Sequence, residues 1–168
     1  MAVRYTNLNP EQLNDNVFKL IGKDWMLITA GVQDKYNMMT ASWGGLGVLW
    51  HKPVSFIFVR PNRYTFEFLQ KNELFTLSFF EEKFRDKLSI CGTKSGRDMD
   101  KTEETGLTPV FSNLGTYFKE ARIVMQCKKM YYQDLNPAQF LDHEINKNYP
   151  GKDYHRMYIG EILQCLTR

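Results

Sequence analysis

The stretch from Tyr36 to Thr65 most restricts what this chain can become. It holds two apolar runs: Met38–Trp50, interrupted by Gly44, Gly45 and Gly47, and Pro53–Arg60, which reads Pro-Val-Ser-Phe-Ile-Phe-Val-Arg. Glycines inside a strand pattern mark bulges or close backbone approach. A kinked strand of this kind is what a sheet needs in order to curl into a barrel. Pro53 opens its run, where a missing N–H does least harm to a ladder.

Further apolar runs follow the same period at Trp25–Val32, Leu74–Phe80, Gly115–Glu120, Ala121–Gln133 and Tyr154–Leu166. Three helices punctuate them. Thr65 reads as the N-cap of Phe66–Lys71, and Glu82–Ile90 sets Phe84, Leu88 and, just beyond it, Cys91 on one face. Asn136-Pro137 reads as the cap and first residue of a helix reaching about Asn146 and turning Phe140, Leu141 and Ile145 inward. The pattern predicts a mainly β, barrel-like fold with peripheral helices. No linker or repeat divides it, so residues 1–168 are expected to form a single domain.

Composition narrows the function classes. Aromatic residues make up 14% of the chain, which favours β structure and leaves rings for a planar ligand. The net charge of +3 is too small to call for a polyanionic partner by itself. Met1–Asn16 is polar, unlike a signal peptide, and no apolar run approaches the roughly 20 residues that cross a bilayer. Cys91, Cys127 and Cys165 are far apart, so reduced thiols and a cytoplasmic location are expected rather than a disulfide framework. His51, His143 and His155 are scattered as well, and no metal site is expected.

No G-x-G-x-x-G follows a strand and no Walker A motif occurs, so any nucleotide must be held another way. Asn37, Met39, Thr40, Ala41, Ser42 and Trp43 form a strand of small polar groups ending in a ring. Such a strand can lie against an aromatic cofactor, or else be an edge strand with hydroxyls in solvent. In Arg60-Pro61-Asn62-Arg63-Tyr64-Thr65 a strand turns into a helix beside two guanidinium groups. A helix N-terminus and arginine forks suit a phosphate, although both arginines also fit an ordinary surface turn. Cys91-Gly92-Thr93-Lys94-Ser95-Gly96-Arg97-Asp98-Met99-Asp100-Lys101 is a glycine loop carrying Lys94, Arg97 and Lys101. Asp98 and Asp100 could pair with those cations and make it a mere connector. Cys91 reads as a redox thiol or as a small apolar residue at a helix end. Arg63 and Lys101 read as exposed loop side chains, replaceable at little cost in stability.

Taken in order, N-x-x-T-A-S-W, R-P-x-R-Y-T, C-G-x-x-S-G-R-D-x-D-K and H-x-x-x-x-G-E resemble the FMN-binding core of the flavin reductase-like (flavoredoxin) family. The resemblance covers about Asp24–Lys101 and Asp153–Leu163. It implies an FMN-binding split barrel, an antiparallel Greek-key barrel that forms homodimers. It also implies FMN as cofactor, NAD(P)H as electron donor, and a downstream electron-acceptor protein. The residues it places at the cofactor are Asn37, Met39, Thr40, Ala41, Ser42, Trp43, Arg60, Arg63, Thr65, Lys94, Lys101 and His155. Tyr154 intervenes between Asp153 and His155, a departure from the family's D-H pair. His155 is then either a flavin or nicotinamide contact, or a structural histidine. No side chain is assigned as general acid or base, because the flavin carries the chemistry. Two other functions stand beside this one: an FMN electron carrier without NAD(P)H activity, and a basic β-barrel that binds nucleic acid on its aromatic face.

Overall fold

A computed structural model describes residues 4–168; the first three residues of the polar start Met1–Asn16 lie outside the described residues. After β1 (Thr6–Leu8), a single α turn, α1 (Val17–Lys19), runs into a π turn over Leu20–Asp24. Four strands follow: β2 (Met26–Val32), β3 (Lys35–Ala41), β4 (Gly44–Leu49) and β5 (Lys52–Val59). Helix α2 (Tyr64–Lys71) leads to β6 (Leu74–Phe79), then to α3 (Arg85–Thr93) and the short α4 (Lys101–Thr105). The hairpin β7 (Pro109–Ser112) and β8 (Gly115–Phe118) precedes two long strands, β9 (Ile123–Asp134) and β10 (Arg156–Thr167).

The main sheet is antiparallel, in the order β3-β2-β6-β9-β10-β5-β4, with β1 added to β10. In a flat sheet its two ends would stand about 30 Å apart. Yet Met39 of β3 and Leu46 of β4 pack into one cluster with Ile28, Ile57, Phe75, Met125 and Tyr158. The sheet is therefore curled into a barrel around this core, and α2 contributes Phe68 and Leu69 to it. Leu27, Met38 and Val124 face the other way and pack against Leu88 and Cys91 of α3 and Phe118 of β8.

Three local expectations are corrected. Met38–Trp50 is not one strand. It splits at Ser42-Trp43 because β3 pairs with β2 while β4 pairs with β5, at the opposite end of the strand order. The glycines belong to β4, and the β4–β5 turn is made by Trp50 and His51, both at positive φ (51° and 59°), as a two-residue hairpin of this hand requires. Second, α2 starts one residue before Thr65. Arg63 is the cap residue, without a side-chain cap bond, and Thr65 is buried inside the first turn. Third, Asn136 does cap a turn that begins at Pro137, but only 3-10 turns form, at Pro137–Gln139 and His143–Asn148. Leu141 is 97% exposed rather than turned inward. The expected helix at Glu82–Ile90 begins as a 3-10 turn and continues as α3 to Thr93, burying Leu88 and Cys91 as its spacing implied.

Candidate functional site

The split at Ser42-Trp43 builds the site. It carries the chain across the mouth of the barrel, so the end of β3 meets the end of β5. Two adjoining clefts lie there, of about 210 and about 220 Å³. Met39, Thr40, Ala41, Ser42, Trp43, Phe58, Arg60, Arg63 and His155 line the first. Asn37, Met39, Arg63, Thr65, Lys94 and Lys101 line the second, with Asn62, Tyr64, Thr93, Ser95 and Gly96. Met39 and Arg63 belong to both, so the clefts form one trough whose size falls in the range for small-molecule sites, roughly 300–1,000 Å³. All twelve residues singled out from the sequence border it.

Several of them are already engaged within the protein. The Thr40 hydroxyl donates to Leu88 O at 2.6 Å, so its proton is not free for a ligand. Asn37 Nδ2 donates to Thr65 Oγ1 at 2.7 Å, tying β3 to the first turn of α2. Arg60 donates from Nη1 to both oxygens of Asp153, at 3.1 and 3.0 Å, and from Nη2 to Asn148 O. Its charge is thus largely answered by a carboxylate. Neither the Lys94 ammonium nor the Ser42 hydroxyl has a hydrogen-bond partner among the described residues.

Lys101 departs furthest from expectation. It is 4% exposed, not a solvated loop residue, and its ammonium donates to Met38 O and Cys91 O, each at 2.8 Å. Burial lowers its pKa from 10.5 to about 8; Cys91 opposes that shift and Arg63 adds to it. Arg63 donates to Gly92 O at 2.9 Å, and its pKa too is lowered, first by burial and then by Arg60. Neither replacement is the harmless surface change that the sequence suggested.

The loop after α3 is not the ion-paired connector either. Asp100 is the N-cap of α4 and accepts from the Thr102 and Glu103 amides. Arg97 pairs with Glu67 and lies over the Tyr64 ring. Among the described residues, no carboxylate stands within 4 Å of the charged nitrogens of Arg63, Lys94 or Lys101. Gly96 holds the loop down: a Cβ there would fall 2.1 Å from Asn37 Oδ1. Cys91 is fully buried, and burial pushes its thiol up to about 11, which suits a packed apolar residue and not a reactive thiolate.

At the other end of the trough, His155 is 8% exposed, and burial, followed by the nearby Arg60, brings its pKa down to about 4. Its ring lies 5.3 Å from that of Trp43, which is half exposed, and 6.5 Å from Phe58. Phe58 was missed from the sequence, although it lies two residues before Arg60 on a strand and so shares its face. Asn62, Tyr64, Ser95 and Gly96 stand inside the two motifs but were not singled out.

The comparisons with known proteins agree with this architecture. Among solved structures, an FMN-binding domain of a flavin reductase-like enzyme from Shewanella baltica superposes with a TM-score of 0.72 at 14% identity, covering 99% of this chain and 78% of its own. A flavoredoxin from Methanosarcina acetivorans gives 0.68 at 22% identity, covering 96% and 76%. An NADH:FAD oxidoreductase from Streptomyces globisporus gives 0.64 at 16%, covering 86% and 75%. At these identities the likeness is one of fold, the split barrel. No curated protein sequence matches. Residues 19–168 match the flavin reductase like domain, and the chain belongs to that family.

Proposed function

We propose that the protein binds FMN in the paired clefts and works as an NAD(P)H:flavin oxidoreductase of the cytoplasm, as a homodimer that hands electrons to an acceptor protein. One observation carries the reading: Arg63, Lys94 and Lys101 border a single cleft with no carboxylate partner among the described residues. Arg63 and Lys101 are partly desolvated there, and desolvated cations call for an anion, which a phosphate monoester supplies.

The residues present fit such a group. The N-terminus of α2 has no side-chain cap, and its residues Arg63, Tyr64 and Thr65 line the same cleft, where unpaired amides favour an anion. Lys101 has a third N–H beyond the two given to carbonyls, and Arg63 has further N–H groups beyond its bond to Gly92. Toward the other end, Ala41 and Ser42 expose a strand edge to the polar rim of a planar ring, and Trp43, Phe58 and His155 supply aromatic surface. When bound, FMN supplies the two-electron chemistry that these side chains lack. The protein's part is to hold, orient and partly dry that group. The half-exposed Trp43 leaves one side of the trough open, where the nicotinamide of NAD(P)H can enter.

A second reading, an FMN electron carrier without NAD(P)H activity, is favoured by the likeness to a flavoredoxin. The nucleic-acid reading has less support, since the cations gather in a cleft and not along a stacking face.

The test is a comparison of flavins. A charge-assisted phosphate contact contributes about 1.5–3 kcal/mol, so FMN should bind at least tenfold more tightly than riboflavin by fluorescence quenching. Equal affinity overturns the phosphate assignment. NAD(P)H oxidation with added FMN then separates reductase from carrier.

A further inference from the structure

The 3-10 segment before β10 brings Tyr149 against His155. The two residues share a hydrogen bond, Tyr149 Oη to His155 Nδ1, of 2.7 Å. Tyr149 is 6% exposed and closely held, with Phe140 stacked at 6.1 Å, Tyr154 at 5.0 Å and the Arg60 guanidinium 5.0 Å over its ring. Arg60 is itself fixed by Asp153, two residues before His155 in the chain. These contacts place the phenol firmly and leave it little freedom to turn away.

The direction of that bond can be settled by proton accounting. A buried phenol proton needs an acceptor, and among the described residues Nδ1 is the only acceptor bonded to the Tyr149 hydroxyl, since the His155 backbone N–H that also meets the phenol oxygen can only donate. Were Nδ1 to carry the proton and donate to the phenol oxygen, the phenol's own proton would be stranded. The arrangement that strands nothing has Tyr149 donating. A neutral imidazole accepting at Nδ1 carries its hydrogen on Nε2. Because His155 lines the first cleft, Nε2 is the ring nitrogen left for whatever enters.

We infer that Tyr149 is a positioning residue: by donating to Nδ1 it fixes His155 in the tautomer that offers Nε2–H to an amide-type carbonyl oxygen in the cleft. Two ligands of the proposed reaction carry such an oxygen, the pyrimidine edge of the flavin and the carboxamide of the nicotinamide. This acceptor rests on the function proposed above, whereas the tautomer does not.

The test uses Tyr149→Phe, which removes the hydroxyl and keeps the ring contacts; an unchanged melting temperature checks the fold. The first readout is long-range 15N NMR of the ligand-free protein, where only three histidines give signals. The expected result is a single Nε2–H tautomer for His155 in the wild type and a mixture of tautomers in the variant. A wild-type Nδ1–H tautomer, or a variant that keeps the pure Nε2–H form, overturns the inference. The second readout is binding. If the flavin is the acceptor, Tyr149→Phe weakens FMN several-fold and leaves the KM for NAD(P)H alone; if the carboxamide is, the KM rises and FMN affinity holds. An unchanged pair of constants overturns the ligand role. A wild type that binds no FMN refutes the proposed function instead, and the inference is then judged on the tautomer.

Discussion

At the residue scale the site depends on charges held in unfavourable surroundings. Lys101 shows this most clearly. Its ammonium is buried, with a pKa lowered to about 8. Phosphate binding favours the charged form, so the advantage of FMN over riboflavin should be complete below pH 8 and should shrink as the pH rises past it. Fluorescence titrations of both flavins from pH 7 to 10 measure this, and a flat ratio would exclude Lys101 from the phosphate contact. Stability runs the other way. The folded pKa lies below the unfolded value near 10.5, so the unfolded chain holds more protons between those limits and Lys101 adds stability as pH rises through them. Lys101→Ala should weaken FMN more than riboflavin. It should also destabilise the fold by about 1–3 kcal/mol, because the Met38 and Cys91 carbonyls lose their donor. His155 behaves as a neutral ring above about pH 4. Its stabilising share is lost as pH falls from about 6.5 toward 4, and urea midpoints at pH 7 and 5 should differ less in His155→Gln than in the wild type. Cys91 should resist thiol reagents in the folded protein at pH 8 and react once unfolded, and Cys91→Ala should keep FMN affinity. A folded-state reaction as fast as that of a free thiol would contradict its burial.

At the scale of elements, the site is a junction of β3, the N-terminus of α2, and the loop between α3 and α4. Gly96 and Asn37 are the pin that joins them. Gly96→Ala places a methyl 2.1 Å from Asn37 Oδ1, so either the loop lifts or Asn37 releases Thr65. Overpacking of this kind costs about 1–3 kcal/mol, and FMN affinity should fall at least tenfold while a Gly22→Ala control, with nothing within 4 Å, does neither. The loop motif itself was readable in the sequence, but its internal pairing was not. Asp100 serves as a helix cap and Arg97 reaches Glu67 on another element, a pairing 30 residues distant that spacing cannot reveal. The same limit explains Thr65, which looked like a cap because a hydroxyl stood near a helix start. Its oxygen instead accepts from Asn37, 28 residues earlier.

At the scale of the whole molecule, curling the sheet leaves β4 as an end of the strand order, with Val48 on it 70% exposed and Trp50 in the turn after it 50% exposed. Exposed apolar groups on an edge strand invite a partner. The family resemblance supplies the expectation that the partner is a second copy. Light scattering should then show a homodimer, and dilution toward monomer should release FMN. A monomer that keeps its flavin at every concentration would contradict both.

The chain's local patterns determined a good deal without help from the fold. The period-2 runs specified strands, because alternation is a local property of side-chain direction. Each of the four motifs places residues at one trough: Asn37 and Trp43 from the first, Arg63 and Thr65 from the second, Lys94 and Lys101 from the third, and His155 from the fourth. Only the tertiary structure decided that Met38–Trp50 would break at Ser42-Trp43, since the break comes from β3 and β4 pairing at opposite ends of a curled sheet. It alone decided that Lys101 would be buried and Arg60 neutralised. Burial and ion pairing depend on what distant segments bring to the same place, and Met38, Cys91 and Asp153 lie 63, 10 and 93 residues from the side chains they restrain.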